Sequence, residues 1–245
     1  MALSNPPTLM PLPTRMVSPR LWLLALALAG ASLAPAADNG KWISLFDGKT
    51  LKGWKKIDGT AKVEVRDGAI VGIVTQGADN TYIATEDATF GDFIFECEFR
   101  CDAGNNSGVM YRSRFADDKI KHGYGYQFEI DPTPRALTGG LYDEGGKPRR
   151  GWVMPAKSSG EPRDEWAKKH GDRFKPGEWN LMRIECRGNH IRTWLNGHLL
   201  TDFVETNQEL AIPRGFIGMQ VHPQTNPQLF GKEVAFRNIR VQRLD

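Results

Sequence analysis

Much of the chain repeats one pattern: a few residues alternating apolar and polar, then Gly, Asn, Asp or Pro. Residues 93–101 (Phe-Ile-Phe-Glu-Cys-Glu-Phe-Arg-Cys) keep that alternation over nine positions. A period of two is that of a strand with one face buried. Residues 63–66 and 69–74 flank Asp67-Gly68, and residues 191–195 and 199–203 flank Asn196-Gly197. Asp-Gly and Asn-Gly accept the positive φ that a tight hairpin needs. Further strands are expected at 109–113, 126–130, 181–187, 216–221 and 234–241. A helix is expected only at 162–169. Many short strands without helical periodicity predict an all-β fold, a two-sheet antiparallel sandwich or jelly roll. The stretch 132–176, rich in Gly, Pro, Arg and acids, reads as a long functional loop.

The first residues read as a leader. Arg15 and Arg20 precede the apolar run 21–28, and small residues follow to Ala34-Pro35-Ala36-Ala37. That is the layout of a secretory signal, with Met16 an alternative start. The run is too short to span a bilayer comfortably. The expected division is a signal peptide over 1–37 and one jelly-roll domain over 38–245, periplasmic or secreted. Beyond residue 37 there remain 30 basic against 29 acidic residues, a net charge of +1. This gives no electrostatic case for nucleic acid or an anionic membrane. Cys97, Cys101 and Cys186 read as small core residues, and no zinc spacing occurs.

Residues 125–131 (Gly-Tyr-Gln-Phe-Glu-Ile-Asp) concentrate the chemistry. In a strand, Gln127, Glu129 and Asp131 share one face, while Tyr126, Phe128 and Ile130 face a core. Adjacent acids are tolerated where the face is wet, holds a cation or does acid–base work.

Six segments together resemble the bacterial 3-keto-disaccharide hydrolase domain family. They are 45–54 (Leu-Phe-Asp-Gly-Lys-Thr-Leu-Lys-Gly-Trp), 106–112 (Asn-Ser-Gly-Val-Met-Tyr-Arg) and 125–131. The others are 139–144 with 149–152, then 179–197 with Thr-Trp-Leu-Asn-Gly, and 215–222 with Phe-Arg-Asn-Ile-Arg at 236–240. The resemblance implies a concanavalin A-like jelly roll of lectin/glucanase type, acting on oxidised sugars. Relatives often carry Glu at the position of Gln127 and Gln at that of Glu129; this chain has the order Gln-x-Glu-x-Asp. Laminarinase-type jelly rolls carry Glu-x-Asp-x-x-Glu, but Pro134 stands where the second Glu would be. Direct retaining glycoside hydrolysis lacks its acid/base partner here.

The implied reaction is cleavage of 3-keto-glycosides. A ketone at C3 acidifies the C2 proton, a base removes it, and the aglycone leaves from C1; water then adds. The site needs a base, an electrophile for the oxyanion and a proton donor. Catalytic candidates are His222 as base, Glu129, Asp131 and Arg112. Arg112 either binds the ketone oxygen or pairs with Glu129. Candidates for holding substrate are Gln127, Tyr142, Asp143, Arg150, Trp152 and Gln220, with His122 as a further histidine. Asn106 and Ser107 read as turn formers. His170, His190 and His198 read as solvated. The sequence requires no cofactor; a divalent cation held by Glu129, Asp131 and His222 is an alternative. The expected partner is an oxidised sugar, with no nucleic acid and no stable membrane insertion after signal cleavage. A noncatalytic, lectin-like carbohydrate-binding module and a structural surface domain are the other readings of the same fold.

Overall fold

A computed structural model describes residues 40–77, 79–115, 123–145 and 148–245. The expected leader and His122 lie outside the described residues. In chain order the strands begin with β1 (Ile43–Ser44), β2 (Trp54–Ile57), β3 (Lys62–Arg66), β4 (Ala69–Ile73), β5 (Thr81–Thr85) and β6 (Phe93–Cys101). They continue with β7 (Ser107–Phe115), β8 (Gly123–Ile130), β9 (Leu141–Glu144), β10 (Gly151–Met154) and, after helix α1 (Arg163–His170), β11 (Asn180–Arg187). The last are β12 (His190–Leu195), β13 (His198–Val204), β14 (Phe216–Val221) and β15 (Glu233–Arg243). One antiparallel sheet has the order β13-β12-β11-β6-β15-β4-β3, with β1 also on β15; the other has β10-β9-β8-β7-β14-β5-β2.

Local chemistry explains the hairpins. Asp67 and Gly68 have φ of 50° and 74°, and Asn196 and Gly197 have 50° and 83°. Two successive positive φ angles match the right-handed twist of the flanking strands. Between the sheets, Phe93, Phe95, Cys97, Phe99 and Cys101 of β6 meet Tyr126, Phe128 and Ile130 of β8. Each such side chain contributes roughly 1.5–3 kcal/mol by leaving water. The three cysteines are free and buried, and burial pushes the Cys186 thiol up to about 12.

Two expectations are corrected. The stretch 132–176 is not one loop: besides α1, which meets the helix expected at 162–169, it carries β9 and β10. Each of the two strands has four residues, too few for alternation to register. Helix α1 is anchored by Trp166, which has no exposed surface, and by His170, only 8% exposed rather than solvated.

Candidate functional site

The outer face of the second sheet is organised in rows across strands. One row runs from Gln220 on β14 through Gly108 on β7 to Glu129 on β8. Glu129 then exchanges both backbone hydrogen bonds with the 139–140 glycines, at 2.9 Å each. The next row runs Met110, Gln127, Tyr142, Trp152. Residues opposite one another in register share a face. The glycines beside Glu129 leave a hollow. A Cβ on Gly108 would lie 2.5 Å from Gln127, and one on Gly140 2.9 Å from the Trp152 ring.

The hollow is a cavity of about 220 Å³. Gln127, Glu129, Tyr142, Trp152, Gln220 and His222 line it, joined by Asn80, Asn106, Arg135 and Glu144. Six of the ten candidates therefore meet. Asn106 is more than a turn former: its Nδ2 donates to Glu129 Oε1 at 2.8 Å, and Gln127 Nε2 donates to Glu129 Oε2 at 3.0 Å. Glu129 is 5% exposed. Burial pushes its carboxyl up to about 7, against the opposing pull of the two amides. His222 Nδ1 lies 2.8 Å from the Pro223 carbonyl oxygen. A carbonyl only accepts, so Nδ1 carries the proton and Nε2 keeps its lone pair. Burial lowers the His222 pKa, outweighing the Pro223 hydrogen bond that raises it, and Arg135 adds a smaller lowering. Burial first, then Glu144 and Glu129, raise that of Tyr142.

Four candidates are elsewhere. Arg112 sits at a bulge where register shifts between Tyr111 and Arg114, at φ 46°. The bulge breaks the alternation that would have put it beside Glu129. It donates instead to the carbonyls of Gly91 (2.8 Å) and Gly188 (2.6 Å) and pairs with Asp92 (2.8 Å). Asp131 lies past the end of β8, outside the cavity lining. It accepts from the Thr133 hydroxyl at 2.6 Å and pairs with Arg135 at 3.0 Å. Asp143 shares a row with Tyr126 and so faces inward. Arg149 and Arg150 clamp it, and Arg150 also pairs with Glu205 at 2.5 Å. Asp143 and Arg150 are thus partners of each other and do not line the Glu129 cavity. Among the described residues no group of three or more His, Cys, Asp or Glu side chains is arranged to hold a metal ion, so Glu129, Asp131 and His222 do not form a ligand set. The sequence reading missed Asn80, Asn106, Arg135 and Glu144 as lining residues. Only Arg135, four residues after Asp131, carried a local signal.

Residues 41–242 match the model of the 3-keto-alpha-glucoside-1,2-lyase-like domain, and the chain belongs to that family, a carbohydrate-active, hydrolase-like family. It is similar to the 3-keto-disaccharide hydrolase of Bacteroides thetaiotaomicron, 27% identical over 87% of this chain and 82% of that protein. A crystal structure of a putative glycosyl hydrolase from Parabacteroides distasonis shares the fold, with TM-score 0.54 and 22% identity over 84% of this chain and 94% of that one. So does the carbohydrate-binding module CBM66 from Bacillus subtilis, with TM-score 0.50 and 16% identity over 78% and 95%. The concanavalin A-like jelly-roll assignment agrees with these folds.

Proposed function

We propose that the protein cleaves 3-keto-glycosides, 3-keto-disaccharides among them, by proton abstraction at C2 and elimination, with hydration following. The observation that carries this is a buried carboxyl poised near neutrality and a neutral imidazole lining one sugar-sized cavity. His222 Nε2 takes the C2 proton and the electrons pass to the C3 ketone oxygen. Arg135, the cation in the lining, faces the developing oxyanion in the role first expected of Arg112. The enolate electrons return, C1=C2 forms and the C1–O bond breaks. Glu129, populated in both protonation states near pH 7, gives its proton to the leaving oxygen. Tyr142, its pKa raised, keeps its proton and orients substrate. Hydration reverses the roles: Glu129 takes a proton from water attacking C1, and the imidazolium returns one to C2. The leaving half would pass over Tyr142 and Trp152 toward the adjoining cavity lined by Arg150, Lys157 and Arg163. The leader expected over 1–37 would send the domain to the periplasm or outside.

The test is incubation with a chromogenic 3-keto-glucoside and its unoxidised parent. Release from the ketone alone is expected. Release from neither, with saturable sugar binding, would replace this reading with a lectin-like module.

A further inference from the structure

Three side-chain amide oxygens are buried without a hydrogen-bond partner among the described residues: Asn80 Oδ1, Gln127 Oε1 and Gln220 Oε1. All three side chains line the Glu129 cavity. Gln127 and Gln220 are 2% and 1% exposed. A carboxylate only accepts, so Gln127 turns Nε2 to Glu129 at 3.0 Å, while Gln220 Nε2 lies 3.5 Å from Glu144 Oε2 and the Gln220 and Asn80 amides also meet the Tyr82 hydroxyl. Each carbonyl end is left over. Buried acceptors without partners oppose folding, and a set of three around one cavity asks for a ligand that brings hydrogens.

We propose that the reacting ring is held by its own hydroxyls donating to Asn80, Gln127 and Gln220, so that the cavity selects an uncharged polyhydroxylated ring over its deoxy and anionic analogues. This rests on the reading that the cavity binds the ring that is cleaved. A 3-keto-hexopyranosyl ring has lost its C3 hydroxyl and keeps those on C2, C4 and C6, a count equal to that of the acceptors. A ring carrying a carboxylate at C6 would bring a charge against Glu129 and Glu144 and lose the hydrogen that the C6 hydroxyl offers an amide oxygen.

The experiment is a cycle between enzyme and substrate. Wild type, Gln220→Leu and Asn80→Ala are assayed with a 3-keto-glucoside, its 4-deoxy and 6-deoxy forms, and the corresponding 3-keto-glucuronide. With wild type each deoxy form should lose about 10- to 100-fold in kcat/KM, the usual effect of leaving a buried acceptor unpaired. A variant should lose as much with the full substrate, yet nothing further with the analogue lacking the hydroxyl its side chain accepts. The glucuronide should be cleaved at least about 100-fold more slowly, a cost of the size expected for an unpaired buried charge. Losses that multiply for every pairing, or a glucuronide cleaved at par, would overturn the proposal while leaving the catalytic reading in place. If wild type cleaves nothing, the catalytic reading falls. Binding of unoxidised methyl glucoside and its deoxy forms, followed calorimetrically, then repeats the cycle and decides the hydroxyl contacts alone. Asn80→Ala, at a half-buried position, serves if Gln220→Leu fails to fold.

Discussion

Glu129 and Asp143 sit on neighbouring strands of one sheet, both nearly sealed from solvent, at 5% and 1% exposure. Their surroundings differ in kind. Burial raises the proton affinity of Glu129, and the two neutral amides that hold it offset this only in part. Asp143 is gripped by two guanidiniums, one of which also holds Glu205. Burial pushes Glu205 up, but the hydrogen bonds from Arg150 and the Asn207 N–H outweigh it and its pKa falls. The first arrangement keeps a carboxyl ready to give and take a proton; the second consumes charge in tying the 141–154 segment to residues 205–210. Buried acidity alone therefore does not mark a functional group. The partner's charge decides.

The contrast can be broken at either end. His222→Ala or Glu129→Gln should lose roughly two to four decades of kcat on a 3-keto-glucoside. The Glu129→Gln protein should stay folded, because Gln127 can rotate and accept from the new amide with its unpaired Oε1. Near-normal turnover in either variant would dismiss that residue from the chemistry. Asp143→Ala should instead act on stability, by about 3–5 kcal/mol in denaturant unfolding, since it strips a buried cation of its counter-ion. A loss of activity without a loss of stability would make Asp143 a cavity group after all.

The pH dependence sharpens the comparison. Burial pushes the Glu129 carboxyl from its ordinary 4.5 up to about 7, so the folded state binds its proton more tightly than the unfolded chain does. Its contribution is fully present below about pH 4.5 and is lost as pH rises through 7, about 3 kcal/mol in all. Unfolding free energies of wild type minus those of Glu129→Gln, measured from pH 4 to 8, should fall across that window; a flat difference would contradict the assignment. The smallest effect is expected at Arg112. Arg112→Lys gives up the hydrogen-bond fork to Gly91, Gly188 and Asp92, at a cost of about 1–3 kcal/mol. Turnover per folded molecule should be unchanged; a drop there would return Arg112 to the site.

Gln127 and Glu129 were legible from alternation along 125–131, but Asp131 was not excluded, because nothing local says that β8 ends at Ile130. Tyr142 and Trp152 carried the right chemistry within a stretch that read as loop, since four-residue strands show no period. Asn106 reads as a turn residue in the sequence because its amide reaches Glu129 across 23 residues of chain.

What the sequence determined by itself is what depends on neighbours along the chain: the period-two strands, the hairpins at Asp67-Gly68 and Asn196-Gly197, the buried cysteines and the paired Gln127/Glu129 face. What only the tertiary structure decided is which side chains meet. The row through Gln220, Gly108 and Glu129 depends on the registers of β14, β7 and β8. One bulge at Arg112 was enough to send an expected site residue to the far side of a strand. Register is set by pairing between segments distant in sequence, and a shift of one residue reverses the face that every later side chain presents.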